Sequence, residues 1–285
     1  MKKIFFFTFL TAAFLAACSS DDQDEPKQEP RLITVEVTEN PLLDANGAPK
    51  QLPTRTAAAT TSESLAAFSM NYTDNKYGFE KTGGSWSSNP NDWPWPVSGN
   101  DTKIDFYAYN AGTFYWNSGK PYLSFTMDAS ASSQTDLLVA THKAISFNDA
   151  GGKVSLDFDH ACAAVKFNIY KTTGVGDKSV IVKSVVLSGV KNKGEYYYND
   201  ETKWQSLSGT ASYTLTTADI TLTTDKQVLP CGYLFLIPQS KEGMTLTVKY
   251  TVNGDASEYT FNLSGTWEAG TEYIVNISMG TSIIK

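Results

Sequence analysis

Side chains that commonly do acid–base or metal chemistry are scarce in this chain. There are two histidines, His142 and His160, among 285 residues. His160 ends the run Asp157-Phe158-Asp159-His160, whose carboxylates and imidazole have the composition of a metal-ligand set. The surrounding pattern argues for a plainer role. Val154, Leu156 and Phe158 alternate with Ser155, Asp157 and Asp159, so a strand here buries its apolar face and leaves its carboxylates in water, with His160 structural. No G-x-S-x-G, H-E-x-x-H, C-x-x-C or phosphate-binding glycine loop occurs. Carboxylate pairs that meet only after folding are invisible to such spacing. These residues predict no enzyme, no metal site and no cofactor.

Three further sets could act through binding, bonding or processing. Trp86, Trp93 and Trp95 lie in and beside a loop rich in Pro and Asn. Exposed rings there can stack on sugars; packed rings would instead close one end of a β-sandwich, which the composition favours. Cys162 and Cys231 can pair in an oxidising compartment, although a buried free thiol is also common. The only arginines are Arg31 and Arg55, both ahead of the main run of strands. Residues 52–61 around Arg55 are small and polar, as protease-sensitive loops are. Between the arginines, Leu32, Ile33, Val35 and Val37 mark a strand, with Leu42 and Leu43 beyond it. That order gives a removable strand followed by a cleavable bond; an ordinary first strand and its loop is the simpler reading.

The N-terminus is an export address. Lys2 and Lys3 precede an uncharged apolar stretch from Ile4 to Ala17, too short for the roughly 20 residues that span a bilayer. Leu15-Ala16-Ala17-Cys18 resembles the lipobox of bacterial lipoproteins, which makes Cys18 the acylated first residue of the mature chain. Each buried CH₂ contributes about 0.8 kcal/mol, so two or more acyl chains anchor stably. Ser19 to Glu25 is acidic and lacks apolar residues, as a solvated tether does. It also resembles the acidic signal that exports lipoproteins of gut and oral anaerobes to the outer leaflet.

The elements that must position these residues are strands. With 41% apolar and 19% charged residues the chain can build a core, and its net charge of −7 argues against nucleic acid. Alternation marks strands at Ile104–Ala108, Leu123–Met127, Val154–Phe158, Val165–Ile169, Leu246–Val252, Tyr259–Leu263 and Tyr273–Met279. No amphipathic helix follows residue 18. The pattern predicts an all-β protein of antiparallel sandwiches. A joint at Thr172–Asp177 divides it into residues 1–17 (signal peptide), 18–31 (lipidated tether), 32–170 and 171–285 (two sandwich domains).

In the order of its pieces the sequence resembles the fimbrillin family, lipoprotein subunits of type V pili. The pieces are the lipobox with its acidic trailer, Thr54-Arg55-Thr56, and the tryptophan loop leading into Ile104-Asp105-Phe106-Tyr107-Ala108-Tyr109. Asp136-Leu137-Leu138-Val139-Ala140 follows, then Val154 to Phe158 running into Asp159-His160-Ala161-Cys162. Val185 to Val190, Gly194-Glu195-Tyr196, Leu236-Ile237-Pro238-Gln239 and Trp267 to Tyr273 complete the set. The resemblance implies tandem transthyretin-like sandwiches exported to the outer membrane and assembled into a fimbria that contributes to adhesion. A trypsin-like, arginine-specific protease would cut after Arg55, or second-best Arg31, and free the strand at Leu32–Val37. An extended strand from another subunit would then fill the groove. Five or six apolar side chains buried there would contribute on the order of 10 kcal/mol gross. The expected partners are other fimbrial subunits, that protease, the outer membrane through the lipid, and a host or bacterial surface ligand. Six residues follow Met279 in place of the longer appendage that stalk subunits use as donor, so a stalk, tip, accessory or anchor place stays open. A surface glycan-binding lipoprotein using the tryptophan loop is the alternative.

Overall fold

Period-two alternation becomes strand throughout the part of the chain that a computed structural model describes, namely residues 31–50, 65–88 and 93–284. Cys18, Arg55 and the tether lie outside the described residues. The protein is all-β, as its alternation predicts; the α-helix among the described residues is the four-residue α1 (Phe147–Ala150).

A seven-stranded sheet forms the N-terminal part. Its order is β1 (Thr34–Glu39), β11 (Lys153–His160), β10 (Leu138–Ile145), β7 (Ile104–Tyr109), β4 (Ala67–Tyr72), β5 (Asn75–Thr82) and β6 (Ser85–Ser88). The end strands β1 and β6 approach one another, so the sheet curls around its own apolar face. Phe68, Met70, Phe79, Phe106, Val154, Leu156 and Phe158 fill that face and are buried. Phe68 stacks on Phe79 at 5.1 Å between ring centroids and meets Phe158 edge-on at 5.2 Å.

The sheet's other face is also covered. A four-stranded sheet, in the order β15 (Trp204–Ser208), β14 (Lys193–Tyr197), β9 (Lys120–Thr126) and β8 (Thr113–Asn117), packs against it. Tyr107, Tyr109 and Val139 from β7 and β10 meet Leu123, Phe125, Tyr196 and Trp204 in this second core. Tyr107 therefore lies under a second layer, one of the two surroundings (water or another layer) that alternation allows for the outward row. A strand with a layer on each face buries both of its rows.

The C-terminal part is a two-layer sandwich. One layer runs β18 (Gln227–Leu236), β12 (Ala163–Lys171), β23 (Thr271–Met279), β2 (Leu42–Asp44) and β3 (Pro49–Lys50). The other runs β16 (Ala211–Thr216), β13 (Val180–Val190), β20 (Thr245–Val252) and β21 (Asp255–Asn262), with β17 (Ile220–Thr221) also paired to β13. A two-stranded ribbon of β19 (Gln239–Ser240) and β22 (Thr266–Trp267) completes the set. Val165, Phe167 and Ile169 of β12 pack on Val182, Val185, Leu187, Leu246 and Val248 of the facing layer. β12, the last strand of residues 32–170, thus bonds to β18 and β23, which lie beyond residue 171. Along β21, Tyr259 is 39% exposed while Phe261 is half-buried, because that strand is an edge lying over little of the core.

Most pairings are antiparallel. Three are parallel: β1 with β11, β12 with β23, and β2 with β23. Parallel neighbours need a long crossover, and β1 and β11 are joined by the whole chain between them. Cys162 is buried in the second core, whereas Cys231 packs against the C-terminal one, and no disulfide joins them. Burial pushes the Cys162 thiol well above its usual range, the setting of an inert structural cysteine.

Candidate functional site

The segment from Arg31 to Lys50 is bonded to the rest of the protein along sheet edges. Among the described residues β1 ends its sheet and pairs only with β11, residue for residue from Thr34 opposite Lys153 to Glu39 opposite Phe158. At its start, Ile33 N–H donates to the Trp93 carbonyl at 2.8 Å, and Trp95 N–H to the Arg31 carbonyl at 2.6 Å. Beyond β1 the chain crosses to the other sheet. There β2 pairs with the start of β23, and Leu43 N–H donates to the Gly270 carbonyl at 2.8 Å. One short segment therefore covers edges in two sheets.

Its side chains divide by strand alternation. Ile33 is buried and Val35 and Val37 are half-buried against the aromatic core, while Leu42 is buried in the second core. Leu32 is half-buried and Leu43 is 40% exposed. Fewer apolar side chains are fully buried than the sequence pattern implies, so the gross apolar contribution is about 5–10 kcal/mol. The outward row is polar. Glu36 lies 2.5 Å from Lys153 Nζ, Thr38 donates to Asp157, and Asn40 Nδ2 donates to Asp159 Oδ1 at 2.7 Å. Glu39 Oε1 accepts from Leu65 N–H at 2.9 Å, tying the end of β1 to the chain that enters β4.

The Asp157–His160 run is thereby explained. Val154, Leu156 and Phe158 point into the core and the aspartates point outward, as alternation predicts, but the aspartates hold β1. Among the described residues no cluster of His, Cys, Asp and Glu could hold a metal ion. His160 Nδ1 lies 2.5 Å from Asp136 Oδ2, with both side chains largely buried. Burial opposes the charged ring, but the hydrogen bond and charge of Asp136, the Asn40 backbone and the Glu39 charge together raise the His160 pKa. His160 thus meets the backbone just past β1 as well as Asp136. Sequence reading missed this pair because Asp136 is 24 residues away and meets His160 only where β10 and β11 converge. His142 Nδ1 contacts the Ser155 carbonyl at 2.6 Å.

Gly152 was also missed. It sits at φ +86°, and a Cβ there would lie 2.4 Å from the Leu32 carbonyl oxygen. Only glycine lets the start of β1 pass this closely.

The remaining candidates pack nearby. Arg31 Nη1 donates to the Ser98 carbonyl at 2.7 Å, and its Cζ lies 4.5 Å from the centre of the Phe147 ring. Trp95 is buried edge-on to Phe106 and Phe147. Trp93 donates from Nε1 to the Gly78 carbonyl at 3.0 Å and meets Tyr77 edge-on. Trp86 packs edge-on to Phe68 at 4.9 Å. All three rings belong to the aromatic core, with Trp86 and Trp93 at its half-buried margin.

Residues 53–285 match a family model described as fimbrillin-like. The chain belongs to the fimbrillin-like family. Solved structures share its fold at low identity. A fimbrial protein from Bacteroides vulgatus is 17% identical with a TM-score of 0.55, over 90% of this chain and 96% of the other. A candidate cell adhesion protein from Bacteroides ovatus is 14% identical with a TM-score of 0.53, over 88% and 93%. Another from Bacteroides eggerthii is 13% identical with a TM-score of 0.51, over 89% and 88%. No curated relative matches the sequence.

Two outcomes follow from the contacts around β1. Gly152→Ala should destabilise the protein by about 1–3 kcal/mol in urea unfolding, because alanine is strained at that φ and meets the Leu32 carbonyl. His160→Gln should remove a pH-dependent increment of stability. The raised folded pKa makes that increment fully present below about pH 6.5, the ordinary histidine value, and lost as pH rises through the folded value. Thermal unfolding of both proteins across that range should show the gap between them closing toward alkaline pH.

Proposed function

We propose that this chain is a subunit of a cell-surface pilus, exported as a lipoprotein on Cys18 and joined to its neighbours by strand exchange. One observation carries the reading: among the described residues β1 is an edge strand with a single sheet partner, and it continues into β2, which lies along the edge of β23. A cut after Arg55 would detach both from the polypeptide. The vacated edges of β11 and β23 would then accept an extended strand from another subunit, whose backbone bonds restore the ladder and whose alternate side chains refill the positions of Ile33, Val35 and Val37.

Of the two arginines, Arg55 fits the protease better. An arginine-specific enzyme must take the guanidinium into its own pocket, and that of Arg31 is held by Ser98 and Phe147. A cut after Arg31 would also leave β1 covalently attached. The family membership supports a pilus or adhesin role at the outer surface.

Purified mature chain treated with an arginine-specific protease should lose its N-terminal segment and form multimers, read by native mass spectrometry. Arg55→Ala should block cleavage and assembly, and Arg31→Ala should leave both intact. A chain that is cut but stays monomeric with its segment bound would contradict strand exchange.

A further inference from the structure

The inward row of β1 cannot by itself fix how a replacement strand sits. Strand side chains alternate with a period of two, so a slip of two residues keeps every apolar side chain on the core face. The outward row removes that degeneracy. Along the edge of β11 stand Lys153, Asp157 and Asp159, met by Glu36, Thr38 and Asn40 of β1. Slipping β1 by two residues toward the end of β11 would set Glu36 against Asp157. The opposite slip would bring Leu42 to Asp159 in place of a donor.

We propose that Lys153, Asp157 and Asp159 form a polar code that selects the incoming strand and its register, an inference that rests on the strand-exchange reading above. The partner it fits is an extended segment of another subunit running parallel to β11, as β1 does. Its outward side chains would read acid, donor, donor at every second position, where a donor is a hydroxyl, an amide or a cation. Apolar residues would fill the positions between. A strand with an acid facing Asp157 or Asp159 is rejected by like charge, and one with a cation at the Glu36 position, opposite Ser155 and diagonal to Lys153, is rejected likewise. Cross-strand pairs contribute modestly one at a time, and directly opposed like charges are unfavourable, so discrimination comes from the three positions acting together.

The test uses the mature chain after arginine-specific cleavage and a fluorescent peptide of residues 31–44. Binding by anisotropy is compared with a peptide carrying Glu36→Lys, Thr38→Asp and Asn40→Asp, its apolar residues unchanged. The reversed peptide should bind at least about tenfold more weakly. In a second arm, a Glu36→Lys peptide should bind the Lys153→Glu protein better than it binds the unchanged protein. Equal binding of native and reversed peptides, with no gain in the swapped pair, would overturn the code while leaving strand exchange standing. Failure of every peptide to enter the cleaved protein would overturn both.

Discussion

A strand bonded along one edge is held by half the contacts of a central strand, and that asymmetry governs the N-terminal segment of this protein. β1 has β11 on one side, supported at its start by the chain at Trp93–Trp95. Its full ladder of backbone bonds and polar pairs holds while the segment is tethered, because an attached strand rebinds at the high effective concentration its linker imposes. A cut at Arg55, as proposed, would remove that advantage. The same fit then becomes an ordinary equilibrium between strands.

Strand exchange as proposed would require this edge to separate from the rest of the fold. The aromatic core is built chiefly by β4, β5, β7 and β11, which contribute its buried Phe and Met side chains, and by Leu138, Ala140 and Ile145 of β10; β1 adds the half-buried Val35 and Val37, with Ile33 just before it. The C-terminal core contains no residue from the segment. Leu42 alone from the segment reaches the second core. Loss of the segment would leave β11 laddered to β10 at Asp159 and His160 and would open the edge from Lys153 to Phe158.

Much of the architecture was legible in the residues because alternation is local. The strand at Val154–Phe158, with aspartates on the other face, follows directly from period two. Alternation does not say whether water or another layer covers the second face, and at Tyr107 the four-stranded sheet lies over it. Nor does it foretell pairing across long separations. The parallel fit of β1 on β11 and the meeting of Asp136 with His160 are products of topology. The edge role of β1 came from the same source, since the sequence offered only a strand flanked by arginines. The tryptophans could be read from sequence only as large rings in a turn-rich stretch; their packing against Phe68, Tyr77 and Phe106 depends on the fold.

Whether β1 opens apart from the body of the protein can be read by native-state hydrogen exchange on the intact mature chain. If the edge is a separable unit, amides of residues 34–44 exchange through an opening of lower free energy than those of β12 and β13, and that opening exposes β11 as well. Amides of β1 that exchange only at the rate of global unfolding, in step with β12, would contradict a releasable strand.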